Sequence, residues 1–186
     1  MSRTLANATA KDRPPTDFYQ TPDAVTLALM GWLSLNRADV IWEPACGDGM
    51  MQRVLERSGN RVIGTDLSSG KDFLSTERTA DWIITNPPFS RATEFIERAH
   101  AVRPRKGIAL LLKSQFWHAL RRNELFYRLR PAAVLPLSWR PDFLFGAKSG
   151  APTMEVLWTV WRMSPHNPSL TIYEPLARPS ETGGWE

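Results

Sequence analysis

The sequence predicts an α/β sandwich built on a mainly parallel sheet, and three observations carry that prediction. Apolar runs of strand length alternate with segments of helical period along most of the chain. One run, Gly107–Leu112 (GIALLL), is apolar without interruption, as a strand covered on both faces must be. The turns after three of the strands carry unusual motifs, and open α/β sheets bind ligands outside the carboxyl ends of their strands.

Taken in order, residues 1–16 are polar and aperiodic and read as an N-terminal arm. Thr21-Pro22-Asp23 predicts a helix start, with Thr21 as N-cap and Pro22 in the first turn. Val25, Ala28, Leu29 and Trp32 follow at helical spacing. Asp39–Trp42 is a short strand ending at Glu43-Pro44, and Met51, Val54 and Leu55 give a second helix closed by Gly59. Arg61–Leu67 and Asp81–Thr85 read as strands, and Ser90 is placed to cap a third helix carrying Phe95, Ile96 and Ala99. Ser114–Arg130 reads as a helix. Ala133–Leu137 and Met154–Trp161 read as two strands joined by a Gly/Pro-rich loop, with Trp42, Trp82, Trp158 and Trp161 in the core. Residues 164–186 form a proline-rich tail in which Leu170, Ile172 and Tyr173 could dock on the body.

Composition narrows the class. A chain of 186 residues with 42% hydrophobic and 23% charged residues is ordinary globular protein. A core of that size buries roughly two-thirds of the unfolded surface, enough to fold without disulfides or metals. One cysteine, Cys46, excludes an internal disulfide framework, and three scattered histidines share no metal-ligand spacing. No apolar run approaches the ~20 residues of a membrane helix. The first residues lack the apolar core of a signal peptide, so the expected location is the cytoplasm. The formal charge is only +4, but Arg91–Arg130 holds ten Lys/Arg against three Glu. That local excess suits a nucleic acid, or a solvated basic surface.

The first strand-end motif is Glu43-Pro44-Ala45-Cys46-Gly47-Asp48-Gly49. Gly47 and Gly49 permit close backbone approach by a ligand at a helix N-terminus. Glu43 and Asp48 make the loop acidic, which favours a cationic or hydroxyl-bearing ligand over a pyrophosphate. The second is Asp66, followed by Leu67, at the end of RVIGTDL. An acid there is placed to accept from the hydroxyls of a ribose. Six residues on, Asp72 beside Phe73 could take the exocyclic amine of an adenine lying against the hydrophobes.

The third motif, Asn86-Pro87-Pro88-Phe89, is the most specific. Consecutive prolines lock the turn and remove two N–H donors. The Asn86 side-chain oxygen and the Pro87 carbonyl can then hold both hydrogens of an NH2 group on a planar base. Drawing those hydrogens out of plane localises the nitrogen lone pair and aims it at an electrophile. Phe89 offers a stacking face. A rigid turn leading into the next helix is the plainer reading of the same residues.

Together these residues resemble the class I S-adenosylmethionine-dependent amino-methyltransferases, and most of all the small DNA adenine-N6 methyltransferases of phages and prophages. The resemblance spans about residues 17–161. It implies a Rossmann-like, mainly parallel sheet ending in an antiparallel hairpin, with the catalytic domain over 17–163. It implies that Glu43, Pro44, Ala45, Gly47 and Gly49 form the cofactor loop, and that Asp66 and Leu67 border the ribose. Asp72 and Phe73 would then contact the adenine, and Asn86–Phe89 would be catalytic. Phe18, Tyr19 and Thr21, within Asp17–Pro22, would pack around the methionine moiety. S-adenosylmethionine is the implied cofactor, its methyl group transferred directly to the amine with no metal, general base or cysteine nucleophile. Two departures stand out. Only 15 steps separate Asp66 from Asp81, so the third strand of the usual sheet should be absent or vestigial. No separate target-recognition domain follows the last strand, so specificity should be short or weak, or supplied by a partner or dimer mate.

For the substrate, Arg121 and Arg122 are candidate phosphate contacts on the predicted helix after the central strand, with Arg128 a heptad from Arg121. The loop Trp139–Thr153 mixes Arg140 and Lys148 with Phe143 and Phe145, as suits a splayed strand. DNA is the expected partner, with the chain a monomer or homodimer. The tetrapeptide specifies only a planar NH2, so RNA adenine, cytosine N4 and a protein glutamine amide remain readings of it. So does a catalytically silent binding subunit. A dehydrogenase would need a third glycine at position 52, which is Gln.

Overall fold

The computed structural model describes residues 19–143, 154–163 and 170–180. Seven strands form one sheet in the order β2-β1-β3-β4-β6-β5-β7. They are β1 (Val40–Glu43), β2 (Arg61–Gly64), β3 (Trp82–Thr85), β4 (Gly107–Lys113), β5 (Ala133–Pro136), β6 (Val156–Arg162) and β7 (Ile172–Tyr173). β2, β1, β3 and β4 run parallel, and β6 is antiparallel to both β4 and β5. The helices are α1 (Asp23–Leu33), α2 (Met50–Arg57), α3 (Ala92–Val102) and α4 (Asn123–Arg128).

Strand alternation divides the core into two layers. Ile41, Trp82, Ile84, Ala109, Leu111, Trp158 and Val160 face the layer of α1 and α2. Trp42, Ile83, Ile108, Leu110, Leu112 and Trp161 face the layer of α3 and α4. Six consecutive buried positions of β4 therefore serve both layers, which is why that run carries no polar residue. The four core tryptophans are 2% exposed or less. Each indole N–H reaches an acceptor on another element: Trp42 to Thr65 Oγ1, Trp82 to Asp39, Trp158 to the Val25 carbonyl and Trp161 to that of Leu129.

No strand lies between β2 and β3, so the third strand of the usual sheet is absent, as the short Asp66–Asp81 spacing implies. A 3-10 turn over Leu67–Ser69 and a turn at Asp72–Thr76 fill the short connection instead. On the opposite edge the chain adds β7, parallel to β5 with Ala133 opposite Ile172. Leu176 is buried beyond it, and the Trp32 indole donates to Glu174 at 2.8 Å. Among the described residues no helix is long and apolar enough to cross a membrane.

Three local expectations are corrected. Thr21 is not the N-cap of α1: Pro22 precedes the first helical residue and no side chain caps that end. Ser90 lies within a 3-10 turn, Phe89–Arg91, and Arg91 occupies the cap position of α3. Ser114–Arg130 is not one helix but two 3-10 turns, Ser114–His118 and Leu120–Arg122, followed by α4. The adjacent aromatics explain the break. Phe116 is buried while Trp117 turns to Thr159 Oγ1 at 3.2 Å, and Ala119 is extended, so packing overrides helical period.

The tightest backbone approach is at Gly107. A Cβ there would lie 2.4 Å from the Trp82 ring and 2.5 Å from the Trp161 carbonyl, and the carbonyl belongs to a paired strand. Gly107→Ala is expected to cost about 1–3 kcal/mol, a Tm decrease of roughly 3–10 °C by calorimetry. An unchanged Tm would mean that the β4–β6 pair can shift more freely than its packing indicates.

Candidate functional site

The parallel strands β1, β2 and β3 end at one edge of the sheet, and the segments leaving them enclose a cavity of about 560 Å³. Its fourth wall is Tyr19-Gln20-Thr21, the approach to α1. The size suits a nucleoside-sized ligand.

Between β1 and α2 the loop bends through two left-handed glycines, Gly47 at φ 50° and Gly49 at φ 75°. Pro44, Ala45, Cys46 and Gly47 line the cavity; Gly49 does not, and serves instead as the residue preceding α2. Glu43 closes the inner end. It is 2% exposed, and its Oε2 is buried without a hydrogen-bond partner. Burial first, and the charge of Asp66 second, push its pKa from the ordinary 4.5 up to about 8. Cys46 is half-buried, and burial together with the nearby Glu43 and Asp66 raises its pKa. It is thus a neutral thiol, not an activated nucleophile. At the rim, Gln20 Nε2 donates to Asp48, tying the approach segment to this loop.

Asp66 follows β2 and lines the next wall with Leu67. Gly47 N–H donates to its Oδ2 at 3.0 Å, and the N–H and hydroxyl of Ser68 to its Oδ1 at 2.8 and 2.6 Å. Burial works against the charged form, but these three donors outweigh it and lower the pKa. An ionised carboxylate accepts about four hydrogen bonds, so roughly one place remains open unless the Ser68 hydroxyl turns away. Asp72 accepts from the Leu74 N–H at 3.0 Å. Phe73 is 2% exposed, wedged between Trp42 and Phe95, and meets the cavity as part of the core wall.

Asn86 stands at the end of β3. Its Nδ2 donates to the Tyr19 carbonyl at 3.2 Å and to Thr21 Oγ1 at 3.1 Å. The Tyr19 carbonyl can only accept, so it sets which way the amide faces. That leaves Oδ1 buried with no donor. Pro88 shares the wall, whereas Pro87 is buried behind it and Phe89 lies on the far side of the turn, 6.0 Å from the Tyr19 ring. The hydroxyl read from sequence as a helix cap is thus spent on orienting Asn86. Gln20, within the Asp17–Pro22 segment, also lines the cavity, as do Met50, Ser68 and Arg91, which no pattern in the sequence singled out.

The basic candidates are dispersed. Arg121 is exposed, and Arg122 is half-buried with Nη1 bonded to the Phe116 carbonyl at 2.6 Å. Arg128 pairs with Glu97, and the break between the Leu120–Arg122 turn and α4 removes the common face expected of Arg121 and Arg128. Arg140 pairs with Glu155 at 2.6 Å. Phe143 is 6% exposed and packs edge-on against Tyr19, so it is core rather than an open stacking surface. Phe18, Phe145 and Lys148 lie outside the described residues.

No protein-family model and no curated protein sequence matches the chain. Solved structures do. A protein from Listeria monocytogenes assigned as a class I S-adenosylmethionine-dependent methyltransferase is similar at TM-score 0.63 and 14% identity, over 89% of this chain and 68% of that one. A protein from Pyrococcus horikoshii assigned as an RNA methyltransferase gives TM-score 0.62 and 16% identity, over 80% and 89%. The methyltransferase subunit of a type I restriction-modification system from Streptococcus thermophilus gives 0.60 and 13%; there this chain, 86% covered, spans 47% of its counterpart. The fold is the Rossmann-like α/β fold of the class I methyltransferases, lacking one strand at one edge and extended by β7 at the other.

Proposed function

We propose that the chain methylates the N6 amine of adenine in DNA, with S-adenosylmethionine as the methyl donor. The observation that carries the reading is the Asn86 amide: its donor side is anchored on Tyr19 and Thr21, and its acceptor Oδ1 is buried and unpartnered at the end of β3. A buried acceptor without a donor costs about 1–3 kcal/mol, which a substrate N–H would relieve. An amine with planar geometry fits, because the prolines that follow hold the turn rigid.

The cavity suits the cofactor by its chemistry. The Asp66 carboxylate, held in its charged form, and Asp72 converge on it, and Glu43 Oε2, buried without a partner at its inner end, is open to a polar group of the ligand. Such a wall complements a ligand bearing ammonium, sulfonium and ribose hydroxyls. Asp66 and Leu67 would hold the ribose, Asp72 and Phe73 the adenine, and the Glu43–Gly47 loop with Tyr19 and Thr21 the amino-acid portion. When bound, the cofactor supplies an electrophilic methyl group. Asn86 orients the acceptor amine by accepting from it, and Pro88 and the core wall exclude water. Positioning and preorganised dipoles supply the rate. A nucleic-acid acceptor is favoured over a protein amide by the ten basic against three acidic residues of Arg91–Arg130. DNA is the form to which the sequence resemblance points.

Labelled methyl transfer to duplex DNA, single-stranded DNA, RNA and protein, followed by digestion, is expected to yield N6-methyladenine in DNA. Label in RNA or protein would overturn the substrate, and none at all with cofactor bound would overturn the activity. Asn86→Ala should lower kcat about 10²–10³-fold with little change in cofactor Kd. Thr21→Val removes one of the two anchors of the amide and should lower kcat roughly threefold to tenfold with KM little changed, and Thr21→Ser should restore it. Weaker cofactor binding with kcat unchanged would leave Thr21 a cofactor contact only and remove its part in orienting Asn86.

Glu43 predicts a pH dependence. Its folded-state pKa of about 8 lies above the ordinary 4.5, so between these values the native state binds more protons than the unfolded chain. This group's contribution to stability therefore falls as pH rises through that window. Thermal melts of the unliganded protein should show that component from about pH 5 to about pH 8, and Glu43→Gln should remove it. A Glu43→Gln melt series that kept the same pH profile would assign the effect elsewhere.

A further inference from the structure

On the far side of the Asn86–Phe89 turn lies a second, separate cleft of about 170 Å³, bordered by Phe89, Lys113, Gln115, Phe116 and Arg122. Its character differs from that of the acidic cavity. The Lys113 ammonium stands 4.7 Å from the centre of the Phe89 ring, and the Arg122 guanidinium stacks 4.1 Å over Phe116. Arg121 is adjacent in the same 3-10 turn.

These cations lack countercharge. Seven other basic side chains of the described residues are held in ion pairs with carboxylates, but Lys113, Arg121 and Arg122 are in none. Arg122 spends one N–H on the Phe116 carbonyl and keeps the rest of its fork. Partial burial, and then repulsion from Arg121, both bear against its charge, with no acid opposing them. A half-buried group of like charges beside aromatic faces is stabilised by an anion. A phosphate matches a planar guanidinium fork and a mobile ammonium together.

Topology places the cleft one turn away from Asn86. β4 pairs in register with β3, Thr85 opposite Leu110, so Lys113 emerges just beyond the strand end that carries Asn86. The Lys113 ammonium also covers the Phe89 face on which an extruded base would stack. Its four-carbon stem lets it leave that ring when a base arrives and follow the accompanying phosphate.

We propose that this cleft is a subsite for a backbone phosphate of the acceptor strand, with Lys113 as its principal charge and Arg122 as its second donor. The proposal rests on the nucleic-acid reading given above and assigns the phosphodiester, rather than the base, as the chemistry recognised there.

The test is the salt dependence of binding by the full chain in S-adenosylhomocysteine, using fluorescein-labelled single-stranded DNA of about 12 nucleotides and the RNA of the same sequence. From about 50 to about 200 mM salt, Lys113→Met should reduce the slope of log affinity against log salt by about 0.7. The affinity it loses should be about threefold greater at the low-salt end. Lys113→Arg should keep the wild-type slope. Cofactor affinity and melting of Lys113→Met are measured alongside, and both should match the wild type. Wild-type binding with an unchanged Lys113→Met slope would overturn the subsite and leave the methyltransferase reading standing. Saturation by inorganic phosphate at the wild-type midpoint would also overturn it, since the site would then take a free anion. Failure of the wild type to bind either strand at low salt would overturn the nucleic-acid reading and the subsite together.

Discussion

Everything at the candidate site depends on the in-register parallel pairing of four short strands. Glu43 is opposite Gly64 across β1 and β2, and Thr85 is opposite Leu110 across β3 and β4. Because these strands run the same way, the residues that follow them emerge at one edge. Glu43, Asp66, Asn86 and Lys113 lie far apart in sequence and close together there for that single reason. An antiparallel neighbour would have sent its strand end to the opposite edge, as β6 does beside β4. The two-layer core keeps the strands in place, since a one-residue slip would turn every buried side chain to the wrong layer.

The edge is built from polar groups that the fold leaves incomplete. Among the described residues all four buried tryptophan N–H groups have acceptors, and Asp39 and Asp81 at the opposite end of the strands are met by Lys106 and Arg105. Buried atoms of Thr26, Arg78, Thr85 and His100 also lack partners, but none of those residues lines the cavity. At the cavity, Glu43 Oε2 and Asn86 Oδ1 have no donor. A protein tolerates such groups where a ligand completes them. The approach segment Tyr19–Thr21 joins the two ends of the site. Through Gln20 it touches the Asp48 loop, and through Tyr19 and Thr21 it holds the Asn86 amide. The cofactor wall and the acceptor-orienting group thus share one short piece of chain.

The seven-strand sheet also shows how one fold absorbs a deletion. The chain between β2 and β3 is too short for a helix, strand and helix, so β2 becomes the sheet edge. The extra pairing appears on the other side, where β7 and Leu176 cover β5 and carry Glu174 to Trp32. The loss of one edge strand leaves the cavity intact, because Asp66 and Asp72 are supplied by the turns that replaced it.

Sequence alone determined the first six strands, the first three helices, the missing strand and the buried tryptophans, and most of the cavity wall was named from the strand-end motifs together with the family resemblance. The elements follow from local rules: period, apolar continuity, and glycine and proline chemistry. Only the tertiary structure decided what Thr21, Phe143, Ser114–Arg130 and Lys113 do. Thr21 reads as a cap beside Pro22, yet its hydroxyl accepts from Asn86, 65 residues away. Phe143 reads as a loop aromatic until Tyr19 is placed against it. The helical period after Ser114 yields to two adjacent aromatics with different destinations. Lys113 is the last residue of an apolar strand, unremarked until pairing sets it over Phe89. Each of these outcomes turns on a partner distant in sequence, and single-sequence patterns contain only neighbours.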